Sequence, residues 1–394
     1  MKNIYTLLAL LVSIISFAII FASLKDVRFY PQADEGYYFR YASYIADKGV
    51  SGFPDLFKEY IENKENWIFS SPIRAGFILL SSGWLKIFGP SFLSLAYLSL
   101  FSFFCFLLVS FYFAKRHFGE ETAFLLLLLL AFSPLNMGMA RRALTDSTAN
   151  LFISLSIWLF LDLSKNGGRL KQIAFILVYS FTILTRESAA FLSPVLILYL
   201  CILRFILKKR VSLISLLSIT IFPALIVIGI LTILSSGQFY EAIKANVSIF
   251  RSNQYSILFC AGPWFRYLID WLILSPWTLI LSIGFIFYYL TLNRKEECPI
   301  YFITIFCGLL FIFGILTVNA KNARYAIMLE TPIRLFSILM LEVLFRERLK
   351  PIVFAIIVII AFFDYWNFTH LFIKEGIYDP VSTWLLRAKD IIPR

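Results

Sequence analysis

Four short stretches concentrate the groups able to move a proton or hold an anion: Asp34-Glu35 just after Pro31, Arg141-Arg142 followed by Asp146, Arg186-Glu187, and Lys321 followed by Arg324-Tyr325. With only 2 histidines and 5 cysteines, and no CxxC spacing, the chain has neither the imidazole clusters of zinc sites or Ser-His-Asp relays nor a thiolate metal site. Any catalysis must run on carboxylates, Arg, Lys and Tyr. Each stretch also has a bland explanation. Asp34 could cap a helix that ends at Gly49, with Glu35 complementing its dipole, and the tyrosines around it could form a belt at headgroup level. Asp146 could be another cap beside snorkelling arginines, and Arg186-Glu187 a pair within its own turn. Against this, a carboxylate and two cations in one tight turn at membrane depth cost at least ~2.5 to 3.5 kcal/mol per charge, so a watery cleft is expected there. Glu330 and Arg334 inside an apolar run likewise suggest a protein-lined cavity.

The elements that must position these groups are helices in a bilayer. Sixty per cent hydrophobic residues, 15% charged and a mean hydropathy of +0.81 exclude ordinary soluble packing. A crossing needs about 20 apolar residues, which predicts an all-α polytopic protein with about 11 spans. They lie near residues 4 to 24, 91 to 114, 121 to 140, 147 to 163, 172 to 185, 189 to 207, 211 to 234, 271 to 292, 299 to 318, 325 to 345 and 351 to 369. Residues 73 to 89 are short and interrupted by Arg74, Ser81, Ser82 and Lys86, so they are read as a helix lying in the interface. With that choice the loops carrying Lys115-Arg116, 165 to 171, 208 to 210, Arg294-Lys295 and 346 to 350 share one side, which the positive-inside rule makes cytoplasmic together with the N-terminus. The four reactive stretches then all face outward from an inner (plasma) membrane. So do a long first loop (25 to 90) carrying juxtamembrane helices, a second loop (235 to 270) and the tail.

Two regions are expected: a catalytic membrane module over 1–235 and a C-terminal membrane region over 236–394 that includes the second loop. That loop, with Tyr240, Phe250, Tyr255, Trp264, Phe265, Tyr267, Lys244, Arg251 and Arg266, reads equally as a gate or as an interfacial loop. Asp379 to Leu386 reads as a capped amphipathic helix. The net charge of +12 falls mainly between apolar spans, which points to lipid headgroups or phosphates rather than nucleic acid.

Arginine suits phosphate because its planar fork of donors binds oxygens bidentately and stays charged. A phosphate already activates a sugar as a leaving group, so transfer needs one general base on the acceptor and cations on the departing phosphate. No Walker A or dinucleotide-binding fingerprint is present. Polar residues do not run along the spans toward both faces, and no duplicated halves are evident. This weakens the alternative of a transporter or flippase of lipid-linked sugars without transferase activity; a scaffold subunit is a third reading.

The ordered set of Asp34-Glu35, a proline-led helix from Pro72 to Gly89, AKRHFG (114 to 119), Ser133-Pro134 leading to RRALTD, LTRE with Ser193-Pro194 downstream, and KNARYAIMLETP (321 to 332) resembles the GT-C membrane glycosyltransferases. The resemblance is to the branch of protein O-mannosyltransferases and the lipid A aminoarabinose transferase. It implies inverting transfer of a sugar from a polyprenyl phosphate to a glycan, lipid or protein acceptor on the external face. It implies Asp34 as base or organiser with Glu35 beside it, Asp146 as a second carboxylate of the cleft, and Arg186, Arg324 and Tyr325 on the donor phosphate. Arg141, Arg142, Glu187 and Lys321 are further candidates for the cleft. The family's lysine before the first-loop proline is missing here, where Ser70-Ser71-Pro72 stands, and Arg74 is the substitute considered. A divalent cation on Asp34, Glu35 and Asp146 is compatible with hard-cation chemistry, but the branch resembled does not require one, so no metal or other cofactor is expected.

Overall fold

In the computed structural model, residues 4–252, 256–292, 296–316, 321–345 and 349–389 are described, and among them the chain is helical with no strand. The loop residues Arg294-Lys295 and 346 to 348, and Tyr255 of the second loop, lie outside the described residues.

Among the described residues, seven helices are long and apolar enough to cross a bilayer: Ile4–Asp26, Phe92–Phe118, Asp146–Asn166, Glu187–Phe205, Leu213–Leu234, Glu297–Ile315 and Lys350–Lys374. An eighth crossing arises if the pair Glu120–Ala131 and Pro134–Ala140, bent by 59°, forms one span. The chain is therefore a multi-pass membrane protein, with a count of 11 spans not reached by length and composition. The remaining expected spans are shorter or broken. Proline is the main breaker: it removes a backbone donor and restricts the residue before it. Pro134 follows the bend at Phe132-Ser133, and Pro276 divides the stretch expected at 271 to 292 into Arg266–Leu274 and Pro276–Thr291. The expected span 325 to 345 starts as a 3-10 helix, Ala323–Leu329, before Glu330–Phe345. Arg169–Thr185 has 17 residues.

The first loop folds into helices Asp34–Lys48, Phe53–Glu62 and Ala75–Phe88. The last has 14 residues, about 21 Å at 1.5 Å per residue, too short for ~30 Å of hydrocarbon. Gly49 ends the first of these helices and Gly89 the last, both at positive φ.

The chain divides into two compact units, each woven from separate stretches, so the division by compactness differs from a single cut near residue 235. One unit comprises Val27–Ser102 and Arg141–Leu258; the other comprises Met1–Asp26, Phe103–Ala140 and Phe259–Arg394. They are called here the loop unit and the terminal unit. In the loop unit, Tyr41, Ile45, Phe53, Phe57 and Tyr60 of the first loop pack with Ile78, Leu184, Leu231 and Ala242. Tyr38 packs with Phe77, Leu98 and Leu144. Tyr38 and Tyr41 are each 1% exposed, so these two are core residues and not members of a headgroup belt.

Candidate active site

In the loop unit, the first loop meets the turns that hold Arg142, Asp146 and Arg186. Two close backbone approaches bring this about. A Cβ on Gly36 would stand 1.7 Å from the Pro31 carbonyl oxygen, so only glycine lets the Tyr30-Pro31 segment lie on the first turn of the Asp34–Lys48 helix. Glu35 uses that proximity: its Oε2 accepts from the Tyr30 backbone N–H at 2.8 Å. A Cβ on Gly76 would meet the Leu184 backbone at 3.0 Å, which sets the start of the Ala75–Phe88 helix against the end of Arg169–Thr185 and brings Arg74 to Glu187. The helices Asp146–Asn166 and Arg169–Thr185 lie side by side, with Ser156 Oγ 3.0 Å from Thr182 Oγ1, and this places Asp146 beside Arg186.

Three arginine–carboxylate pairs result. Arg142 donates to Glu35 at 2.5 Å, and the Ala143 N–H reaches the other Glu35 oxygen at 3.1 Å. The same guanidinium donates to the Arg28 carbonyl and lies over the Tyr30 ring. Arg186 donates to Asp146 Oδ1 at 2.7 Å, both side chains being 2 to 3% exposed. Arg74 grips Glu187 bidentately, Nε to Oε2 at 2.7 Å and a terminal nitrogen to Oε1 at 2.5 Å. These contacts correct three simpler expectations. Neither Asp34 nor Asp146 caps its helix through its side chain. Arg186 and Glu187 do not pair within their turn, because each has a partner in another element. The cost of charges in the RRALTD turn is met by buried ion pairing and not by a watery cleft, since Arg142 and Asp146 are 5% and 2% exposed. Arg141 is also buried.

Asp34 stands apart. It is half-buried where Glu35 and Asp146 are fully buried, and its Oδ1 accepts from the Ser70 hydroxyl at 3.1 Å. Ser70 in turn lies 3.4 Å from the third nitrogen of Arg74, which also donates to the Tyr38 hydroxyl. Burial pushes that phenol up to about 12, against the opposing pull of Arg74. Burial disfavours the Arg74 charge, and Glu187, Tyr38 and Asp34 together more than offset it, so the guanidinium is held above its ordinary value. Asp34, Glu35 and Asp146 form no three-ligand group able to hold a metal ion.

Lys321, Arg324 and Tyr325 belong to the terminal unit. Lys321 is buried and donates to the Gly262 carbonyl at 2.8 Å; Arg324 is half-buried with its guanidinium over the Tyr325 ring. Two features of this unit were not foreseen. Arg266 pairs with Asp379 at 3.0 Å, and Asp379 also accepts from the Ala323 N–H, so Asp379 does not cap the Pro380–Ala388 helix through its side chain. Tyr267 is buried as well, so neither Arg266 nor Tyr267 can form part of a covering loop. Glu330 accepts from Ser133, Trp271 and Arg334 at 2.6 to 2.7 Å, and Arg334 also donates to Asp364 at 2.6 Å. The cavity expected at Glu330 and Arg334 is instead a closed network of protein partners. The Arg74–Glu187 pair was also unpaired in the sequence reading, because its members lie 113 residues apart and no local spacing connects them.

Residues 72–228 match the family model described as dolichyl-phosphate-mannose-protein mannosyltransferase. No curated protein sequence matches the chain. Among solved structures, ArnT from Cupriavidus metallidurans in the apo state aligns with a TM-score of 0.54 and 16% identity over 84% of this chain and 59% of that one. The same protein bound to undecaprenyl phosphate gives 0.54 and 14%, over 98% and 75%. The Archaeoglobus fulgidus oligosaccharyltransferase tethered to an acceptor peptide gives 0.59 and 13%, over 94% and 55%. The chain thus spans little more than half the length of two of these three. The chain has the GT-C fold expected from its sequence, similar to that of ArnT and the oligosaccharyltransferase, and its residues 72–228 are similar to the mannosyltransferase family model.

Proposed function

We propose that the chain is an inverting glycosyltransferase that moves a sugar from a polyprenyl phosphate to an acceptor hydroxyl on the external face of the membrane, with Asp34 as general base. The observation that carries this reading is the contrast in exposure within the loop unit: Glu35 and Asp146 are buried, while Asp34 is half-buried on the same structure. A base must reach both substrate and water, and a fully buried carboxylate cannot.

In the proposed step, Asp34 takes the proton of the acceptor hydroxyl as its oxygen bonds to the anomeric carbon. The bond from that carbon to the phosphate oxygen breaks, and the electron pair leaves with the polyprenyl phosphate. Glu35 and Asp146 organise the site by fixing Arg142 and Arg186. Arg186 is proposed to meet the donor phosphate after a local opening of its turn, since at 2% exposure it has no path to solvent. Arg141, Arg142 and Glu187 of the same unit are proposed in supporting roles. The ArnT neighbour bound to undecaprenyl phosphate, and the dolichyl-phosphate-mannose family model, support a polyprenyl-phosphate donor. The test is to incubate membranes containing the protein with a panel of labelled polyprenyl-phosphate sugars. Label moving to a glycan, lipid or protein acceptor is the expected result. Label that only changes leaflet, still on its lipid, overturns the transferase reading.

A further inference from the structure

Arg74 lies on the first loop with partners on both sides of it, and these contacts define its task. Nε and one terminal nitrogen both go to Glu187, and the other terminal nitrogen goes to the Tyr38 hydroxyl and Ser70. All three nitrogens of the guanidinium are engaged by protein, so the bidentate fork that a phosphate would need is already spent on a carboxylate. The Glu187 side chain is 37% exposed and that of Arg74 14%, so the pair lies near the edge of the loop unit, not in its core. The hydroxyl of Ser70, within reach of Arg74, donates to Asp34.

We propose that Arg74, anchored by Glu187, is a positioning residue that sets the orientation of the Asp34 carboxylate through Ser70. Glu187 fixes two corners of the guanidinium and so fixes the third. That third nitrogen holds Tyr38 Oη and Ser70 Oγ, and Ser70 spends its one hydroxyl proton on Asp34 Oδ1. Gly76 supports the arrangement, because the helix that begins just after Arg74 can approach the Leu184 backbone only without a side chain there. A small displacement of a reacting group can cost a hundredfold in rate, so the strut contributes to turnover without touching substrate.

The inference rests on Asp34 being the base, and the experiment separates the two. Purified full-length protein is assayed with the donor selected by the labelled panel, for wild type, Asp34→Asn, Arg74→Ala, Ser70→Ala, Glu187→Gln and the Arg74→Ala/Ser70→Ala double variant. Arg74→Ala is expected to lower kcat about 10- to 100-fold, the range for losing an orienting group behind an active one, with donor KM changed less than about twofold. Ser70→Ala lowers kcat as well, and the double variant falls no further than Arg74→Ala, because both act on one link. Binding of undecaprenyl phosphate, measured without turnover, stays at the wild-type level in Arg74→Ala. A raised donor KM with weakened undecaprenyl phosphate binding makes Arg74 a phosphate ligand and overturns the proposal. So does a double variant whose loss is the product of the single losses, the mark of a general prop. If Arg74→Ala does not fold, Glu187→Gln keeps the arginine and loses only its anchor; an unchanged kcat there is equally contrary. An inactive Asp34→Asn beside a fully active Arg74→Ala defeats this inference alone, whereas a fully active Asp34→Asn defeats the base assignment.

Discussion

Two charged networks, one in each unit, are built from the same residue types and end up with opposite characters. In the terminal unit, Glu330, Arg334 and Asp364 are each 1% exposed, and Ser133, Trp271 and Ser275 complete the hydrogen bonding of the two carboxylates. These contacts tie together the Pro134–Ala140, Arg266–Leu274, Glu330–Phe345 and Lys350–Asn367 regions. In the loop unit the pairs grade from fully buried Arg186–Asp146 to the exposed edge at Arg74–Glu187, and Asp34 stands half-open beside them. Charge inside a membrane protein therefore does not by itself mark chemistry. A network whose every oxygen already has an internal donor is a structural clamp, and the network that leaves one carboxylate at its rim is the candidate for proton transfer.

Substitutions in the two networks are expected to differ in the same way. The largest loss of stability is expected from Arg334→Leu, which strands two buried carboxylates; breaking a buried pair costs about 3 to 5 kcal/mol. A clear fall in the thermal midpoint of the purified protein checks this, and an unchanged midpoint means the network is not a clamp. Arg186→Ala should combine a loss of about 3 kcal/mol, from leaving Asp146 buried without its cation, with a loss of turnover. Gly36→Ala should cost about 1 to 3 kcal/mol by forcing Pro31 off the helix, and should lower transfer through the displaced Glu35. The smallest effect concerns pH. Asp270 is 1% exposed and neither of its oxygens meets a donor at bonding geometry. Burial, with the Asp379 charge adding to it and Arg266 opposing it, pushes its carboxyl up to about 8. A carboxyl raised in the fold favours the protonated folded state, so its contribution is complete below pH ~4 and is lost as pH rises through about 8. Relative to wild type, the thermal midpoint of Asp270→Asn should rise between pH 4 and pH 9; an unchanged difference between these two values contradicts the shift.

Much of the fold was legible because hydropathy and turn chemistry are local. The seven long helices fall on stretches expected to span, the first-loop helix starts at Asp34 and stops at Gly49, and the helix at 75 to 88 stops at Gly89. The broken stretches were less legible. A hydropathy window reads through Ser133-Pro134 and Ser275-Pro276, where the backbone turns because proline cannot continue the ladder. In the candidate site, the residue types of Asp34, Asp146 and Arg186 could be picked out by their position in turns between apolar runs. Their pairing could not. Arg74 finds Glu187 113 residues away and Arg142 finds Glu35 107 residues away, through close approaches at Gly76 and Gly36 that no periodicity encodes.

Whether Asp34 takes the acceptor's proton is decided by comparing sugar transfer from the labelled donor by purified wild type and Asp34→Asn, with folding monitored by the thermal midpoint. Asparagine keeps the shape and the Ser70 contact but cannot accept a proton, so the account predicts a fall in kcat of about 10²- to 10⁴-fold with an unchanged midpoint. Transfer by Asp34→Asn at the wild-type rate contradicts it.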